Sequence, residues 1–276
     1  MSIGDASTRL LALLGHPVDH SASPALHRAA CAAAGVDATY LAFDVPPERL
    51  AAAVEGLRAL GALGANVTVP HKQAVLELVD ACTDEAQAVG AGNTLFWDGG
   101  RLVADNTDAT GLHEVLADDL ALAAGVPVQL VGAGGAARAA AVALGRLGAR
   151  VRVWARRREQ AEQVTDLALA HGASPLGDRE PVTVVLNATP LGLADEPLPD
   201  PFMTLADDQI ALDLVYRPEP TPFLRAATAA GARAVDGRGM LLAQAAHAFV
   251  RWTGQPAPRA ALGEALAQAM GASHRR

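Results

Sequence analysis

Short apolar runs alternate along the chain with segments of helical periodicity. Residues 9–14 read as a strand, 24–34 as a helix, 38–43 as a strand, 47–60 as a helix, 64–69 as a strand and 73–79 as a helix. This β-α-β-α order predicts a parallel sheet covered by helices. Gly35, Gly61 and Gly64 fall where the helices should stop. A second series starts at Val126 and runs to about Val235, with strands predicted at 128–131, 151–154, 182–186 and 210–214. Two α/β domains follow, joined near residues 105–112. Within 240–252, Met240, Leu241, Leu242, Ala245, Ala246, Phe249 and Val250 recur at helical spacing, with Gln244, His247 and Arg251 on the other side. That helix can cap the second sheet or return to the first, and periodicity alone does not choose. No self-similarity at solenoid periods and no linker-like tract interrupts the pattern.

Composition sharpens this picture. Hydrophobic residues make up 51% of the 276 positions but aromatics only 4%, so the core must be built from small aliphatic side chains. The length allows one large or two modest domains. With 22 basic and 30 acidic residues the formal charge is −8, which argues against a nucleic-acid partner, since counterion release needs a basic face. Cys31 and Cys82 lie far apart with no Cys-x-x-Cys spacing, as expected of a chain in a reducing cytoplasm. Residues 1–14 hold a short apolar stretch and Asp5, and so are expected to form neither a leader nor a membrane span. His16 and His20 sit in a Gly/Pro loop with no third ligand apparent, so no metal is expected.

The most interpretable string is Gly132-Ala133-Gly134-Gly135-Ala136-Ala137, which follows a predicted strand and opens a predicted helix at 136–147. That is the setting in which glycines turn tightly, admit a pyrophosphate and leave helix N-terminal amides for it. About 20 residues on, where an acid would select NAD, the chain reads Ala155-Arg156-Arg157-Arg158, which favours NADP. In the first domain, polar residues collect at predicted strand ends in 15–24, 66–72, 90–94 and 105–108. Their hydroxyls, amides, Lys72 and Asp108 suit a small polyol and a proton transfer, with Lys72 and Asp108 able to hold each other's charge.

Taken in order, these strings resemble the shikimate dehydrogenase family over nearly the whole chain. Residues 15–27 follow Gly-x-Pro-x-x-His-Ser-x-Ser-Pro-x-x-His, and 66–72 follow Asn-Val-Thr-x-Pro-x-Lys. The matches continue at 90–94, 106–108, 132–138, 187–192, 213–216 with Pro218 and Thr221, and 236–241 running on to Gln244. The resemblance implies an α/β fold in two domains. One is a mainly parallel substrate-binding and catalytic domain over 1–107, completed by C-terminal helices in 237–276; the other is a Rossmann-type NADP-binding domain over 108–236. It implies reversible NADPH-dependent reduction of 3-dehydroshikimate to shikimate, in the route to chorismate and the aromatic amino acids. Lys72 and Asp108 would be the acid/base pair, and Ser21, Ser23, Thr68, Asn93, Tyr216 and Gln244 would bind substrate. Gly132, Ala133, Gly134, Gly135, Ala136, Arg156, Arg157, Arg158, Asn187, Thr189, Leu214, Gly237 and Gly239 would bind NADP. The expected partner is therefore a small molecule, with no membrane involved and a homodimer compatible. The chain departs from the family's usual pattern at Arg28, where Asn is common, and at Ala155 and Arg157, where Asn and Thr are common. Dehydrogenation of quinate or an aminoshikimate, and ligand sensing without catalysis, are the alternatives.

Overall fold

The computed structural model describes residues 4–272. The first three residues of the 1–14 segment and the last four of the 237–276 segment lie outside the described residues. The chain divides into two compact units, the first up to Thr107 and again from Leu242, the second Asp108–Leu241.

Unit 1 begins with β1 (Arg9–Gly15), α1 (Ser23–Ala34), β2 (Ala38–Asp44), a 3-10 turn at Pro47–Arg49 and α2 (Leu50–Ala59). It continues with β3 (Gly64–Val67), a 3-10 helix at Ala74–Leu78, β4 (Ala81–Cys82), α3 (Asp84–Val89), β5 (Thr94–Asp98) and β6 (Arg101–Asp105). The strand order is β2-β1-β3-β5-β6-β4. β1 pairs in parallel with β2 and β3, whereas β5 runs antiparallel to both β3 and β6, so the sheet is mixed. β5 and β6 form a hairpin across Gly99 and Gly100, with φ of +54° and +82°, the two positive values that a tight hairpin turn requires.

Several elements are shorter than the periodicity predicts. β3 stops at Val67, though beyond it Thr68 N–H still donates to Leu14 O of β1 and Val69 O accepts from His16 N–H. The helix expected at 73–79 is one 3-10 segment, its Leu76 N–H reaching back three residues to Gln73 O. It still buries Val75 in the core with Leu14, Val54, Val67 and Leu95. Gly35 does end α1, at φ +66°. Gly64 is no helix stop; it opens β3, and a Cβ there would lie 2.3 Å from the Trp252 indole.

Unit 2 contains α4 (Thr107–Glu114), which opens at the division and continues as a wider π-turn at Val115–Asp119, then β7 (Pro127–Val131), α5 (Gly135–Arg146), β8 (Arg150–Trp154) and α6 (Arg158–Ala170). β9 (Ser174–Pro175), β10 (Val184–Asn187), β11 (Ile210–Asp213), α7 (Pro222–Ala229) and β12 (Arg233–Val235) follow. All strands are parallel, in the order β12-β11-β10-β7-β8-β9. Successive residues feed opposite faces of this sheet. Leu130, Val184, Leu186 and Leu212 join one core, and Val131, Val185 and Ala211 the other. α5 buries every residue from Ala139 to Gly145, most of them alanine or glycine.

The chain then enters α8 (Arg238–Thr253) and ends the described part with α9 (Arg259–Ala272). The division between units falls at Leu241, inside α8, rather than at 236, because Met240 belongs to the core of unit 2. From Leu242 on, the chain packs in unit 1. α9 lies on α1, Trp252 Nε1 donates to Leu95 O at 2.9 Å, and Arg251 meets the buried Asp105 at 2.6 Å.

Candidate active site

In an open α/β sheet, ligands collect outside the strand C-termini where the strand order reverses. In unit 1 that point lies between β1 and β3, which flank one another although β2 separates them in sequence. The segments leaving both strands are held together by the Thr68 N–H to Leu14 O and His16 N–H to Val69 O bonds. A Cβ on Gly15 would lie 2.2 Å from Thr68 Cγ2, so glycine is what lets the loops close up. Ser21 N–H donates to Val18 O, and Ser21 Oγ accepts from Ser23 N–H at 3.2 Å, which places both serines at the entry to α1. Lys72, half-buried, anchors its own loop through its backbone carbonyl, which accepts the Gly92 N–H at 2.7 Å. Since β5 runs antiparallel, its leading residue, with Asn93 just before it, lies on this same edge. β6 runs back toward the edge and delivers Asn106 and Thr107 to it. Ser21, Ser23, Thr68, Lys72 and Asn93 thus share one sheet edge. Gln244 is buried on α8, two turns before Trp252.

Much of this edge is dry. Asn93, Thr94, Asp105, Asn106 and Thr107 are each at most 3% exposed. Behind it, His27 is fully buried, stacked on Tyr40 and edge-on to Trp252, with neither ring nitrogen bonded. Burial alone pushes its pKa down to about 3, so this imidazole is neutral.

In unit 2 the strand order reverses between β7 and β10. Gly132 follows β7 at φ +127°, and a Cβ there would lie 2.9 Å from Ala188 O. Gly134 is the N-cap of α5; no side chain caps the helix, and the space around Gly134 is open. Ala133, Gly135 and Ala136 complete a cradle of amides at a bare helix N-terminus, which fits a pyrophosphate. Arg156, Arg157 and Arg158 follow β8, all exposed. Arg157 donates to Gln160 and Arg158 to Glu162, both on α6, while Arg156 makes no such bond. This donor set fits a 2′-phosphate. Gly237 passes over the end of β11, where a Cβ would lie 2.4 Å from Leu214 O. Gly239 is in the first turn of α8, and Tyr216 lies half-buried in the loop after β11. Asp108, buried in the first turn of α4, also belongs to unit 2.

Asn187, at the end of β10, turns its amide inward. It accepts from Thr189 N–H and Oγ1 and donates to Leu191 O and to Asp213 Oδ1 at 2.8 Å. Asp213 also accepts from Thr221 Oγ1 at 2.6 Å and from Val215 N–H. Burial raises its pKa to about 6, against the pull of these bonds. The strings 213–216 and Thr221 carry no sign in the sequence that Asp213 and Thr221 bond each other. Tyr40 and Thr94 likewise meet Asn66, 26 and 28 residues away, which no local pattern shows. The available signal was a polar residue ending an apolar strand, as at Asn187 and Asp213.

One unit with a parallel sheet, an amide cradle and a basic strand end, and another whose sheet edge gathers hydroxyls, amides and a lysine, define a two-domain dinucleotide-dependent dehydrogenase. Models of the shikimate dehydrogenase substrate binding domain and of the shikimate 5′-dehydrogenase C-terminal domain match residues 13–95 and 237–266. The NADP(+) shikimate dehydrogenase of Salinibacter ruber is 46% identical, over 95% of this chain and 98% of that protein. A shikimate dehydrogenase solved in complex with NADP+ shares 33% identity with a TM-score of 0.88, covering 98% of both chains. The Thermus thermophilus enzyme, solved with NADP(H) and shikimate, shares 37% with a TM-score of 0.84, over 95% of this chain and all of that one. This chain belongs to the shikimate dehydrogenase family.

Proposed function

We propose that this protein reduces 3-dehydroshikimate reversibly to shikimate with NADPH, and that it works in the cytoplasm, as a homodimer, in the route to chorismate and the aromatic amino acids. Among the described residues no helix is long and apolar enough to cross a membrane. The observation that carries the reading is the edge of unit 1, where Ser21, Ser23, Thr68, Lys72 and Asn93 converge at the strand-order reversal.

The Ser21 and Ser23 hydroxyls donate to the substrate carboxylate, which needs donors rather than a full counter-charge. Thr68, Asn93, Tyr216 and Gln244 orient the ring and its hydroxyls. Lys72 delivers a proton to the oxygen that becomes the new hydroxyl, and in the oxidative direction takes it away; Asp108 is the carboxylate of this acid/base pair. Bound NADPH supplies the hydride. The amides of 132–136 hold its pyrophosphate and Arg156, Arg157 and Arg158 its 2′-phosphate, while Asn187, Thr189, Leu214, Gly237 and Gly239 shape the remaining nucleotide contacts.

Absorbance of NADPH followed with shikimate or quinate, each with NADP or NAD, tests this directly. The highest kcat/KM is expected for shikimate with NADP. Lys72→Ala should lower kcat by orders of magnitude with little change in KM, and near-normal turnover would remove Lys72 from its role. Sedimentation of the pure protein tests the dimer.

A further inference from the structure

Four buried polar side chains in unit 1 form a hydrogen-bond chain whose directions can be worked out from its ends. Asn66 Nδ2 faces Asn93 O at 3.0 Å, an atom that can only accept, so Asn66 Oδ1 must be the atom that accepts from Tyr40 Oη at 2.8 Å. Asn66 Nδ2 also donates to Thr94 Oγ1 at 3.2 Å; the Thr94 and Thr107 hydroxyls, 3.1 Å apart, are linked so that one donates to the other and the other donates to Asn93 Oδ1, which lies 3.1 Å from Thr94 Oγ1 and 3.2 Å from Thr107 Oγ1. At the other end Thr107 N–H, which can only donate, reaches the same Asn93 Oδ1 at 2.7 Å. Both lone pairs of that oxygen are taken. Asn93 Nδ2 donates one proton to Thr107 Oγ1 at 3.0 Å and keeps the other.

We propose that Tyr40, Asn66 and Thr94 are positioning residues that lock the Asn93 carboxamide as a pure hydrogen-bond donor toward the substrate. This rests on the reading above that Asn93 touches substrate, and it adds the chemistry of what Asn93 accepts as a partner. The facing group must offer a lone pair, as a ring hydroxyl or carbonyl oxygen does. A substrate carrying an ammonium at that position offers only protons and is refused, because a locked amide cannot rotate its oxygen outward without stranding the Thr107 N–H.

The test uses Thr94→Val, which keeps the shape and removes the hydroxyl, with Thr94→Ser as rescue and Tyr40→Phe as a milder cut at the far end. Steady-state kinetics are combined with calorimetric titration of shikimate into the protein without nucleotide. Thr94→Val should raise both KM and Kd for shikimate about tenfold, with kcat and the KM for NADP within about twofold; Thr94→Ser should restore them, and Tyr40→Phe should give a rise of about threefold. Should Thr94→Val fail to fold, Tyr40→Phe decides. Unchanged shikimate affinity in Tyr40→Phe and in Thr94→Val where it folds, with only a lower Tm, overturns the proposal. Asn93→Ala separates the two readings. If it impairs shikimate binding while the other variants do not, the positioning role alone fails; if Asn93→Ala has no effect, the placing of Asn93 on the substrate has failed.

Discussion

His27 and Asp213 are buried titratable groups whose effects on stability oppose one another. His27 titrates at 6.5 when unfolded and at about 3 in its aromatic cage. Between those values the unfolded chain binds a proton that the folded one refuses, so stability falls as pH drops from 6.5 toward 3, by at most about 1.4 kcal/mol per pH unit. Asp213 moves the other way, from 3.8 unfolded to about 6 folded. Between those values the folded chain holds a proton that the unfolded one has released, so its contribution falls as pH rises through the window. The two slopes cancel in part around pH 4–6. Asp213→Asn keeps the shape and removes one slope, so urea denaturation at a series of pH values should show a steeper acid loss than the parent does. An unchanged slope would mean that Asp213 does not titrate in this range. At Gly132 the backbone conformation and the neighbouring Ala188 O both exclude a side chain. Gly132→Ala is therefore expected to weaken NADP at least tenfold in a fluorescence titration while circular dichroism stays near that of the parent. Arg156 makes no bond to α6, unlike its two neighbours. Arg156→Ala should thus reduce the kcat/KM preference for NADP over NAD more than Arg158→Ala does.

Among the elements, β3 and α8 meet at one tightly filled point. The Trp252 indole fills the space that a Cβ on Gly64 would need, and Leu95 O stands 2.6 Å from the same point. Gly64→Ala is expected to cost about 2–3 kcal/mol in urea unfolding, as an overpacked core position does. Elements with strong periodicity were legible in the sequence: β1, α1, β2, the strands β7, β8, β10 and β11, and α8 all lie within a few residues of where apolar spacing puts them. The β5–β6 hairpin was not, because its Thr94–Asp98 strand follows a polar string and reads as its tail. The sign that could have revealed it, Asp98-Gly99-Gly100 between apolar runs, is a turn signal rather than a periodicity. The same hairpin decides how much of the candidate site could be read. The strings containing Lys72 and Asn93 stand out by composition, but only the antiparallel course of β5 places them on one edge. The inward orientation of the Asn93 and Asn187 amides depends on partners distant in sequence, which no local pattern encodes.

For the molecule as a whole, each unit repeats one arrangement, a first strand flanked on either side by later ones with its loop at the reversal. The amide cradle attributed to nucleotide belongs to the unit whose sheet is fully parallel, and the polar edge attributed to substrate belongs to the unit whose sheet is mixed. Against a formal charge of −8, the run Arg156 to Arg158 concentrates positive charge where a doubly charged phosphate is expected. Saturating NADP at about 100 times its Kd should add about 2.7 kcal/mol to stability, and shikimate alone should add its own share without nucleotide. The scarcity of aromatic residues also gives the protein separable optical labels. Trp97, bonded to Ala62 O, and Trp252 belong to unit 1, while Trp154, edge-on to Phe202 at the end of β8, belongs to unit 2. Emission from a Trp154→Phe variant therefore reports on unit 1 alone, and its difference from the parent reports on unit 2, so the melting of each unit can be followed in one cuvette without an added dye.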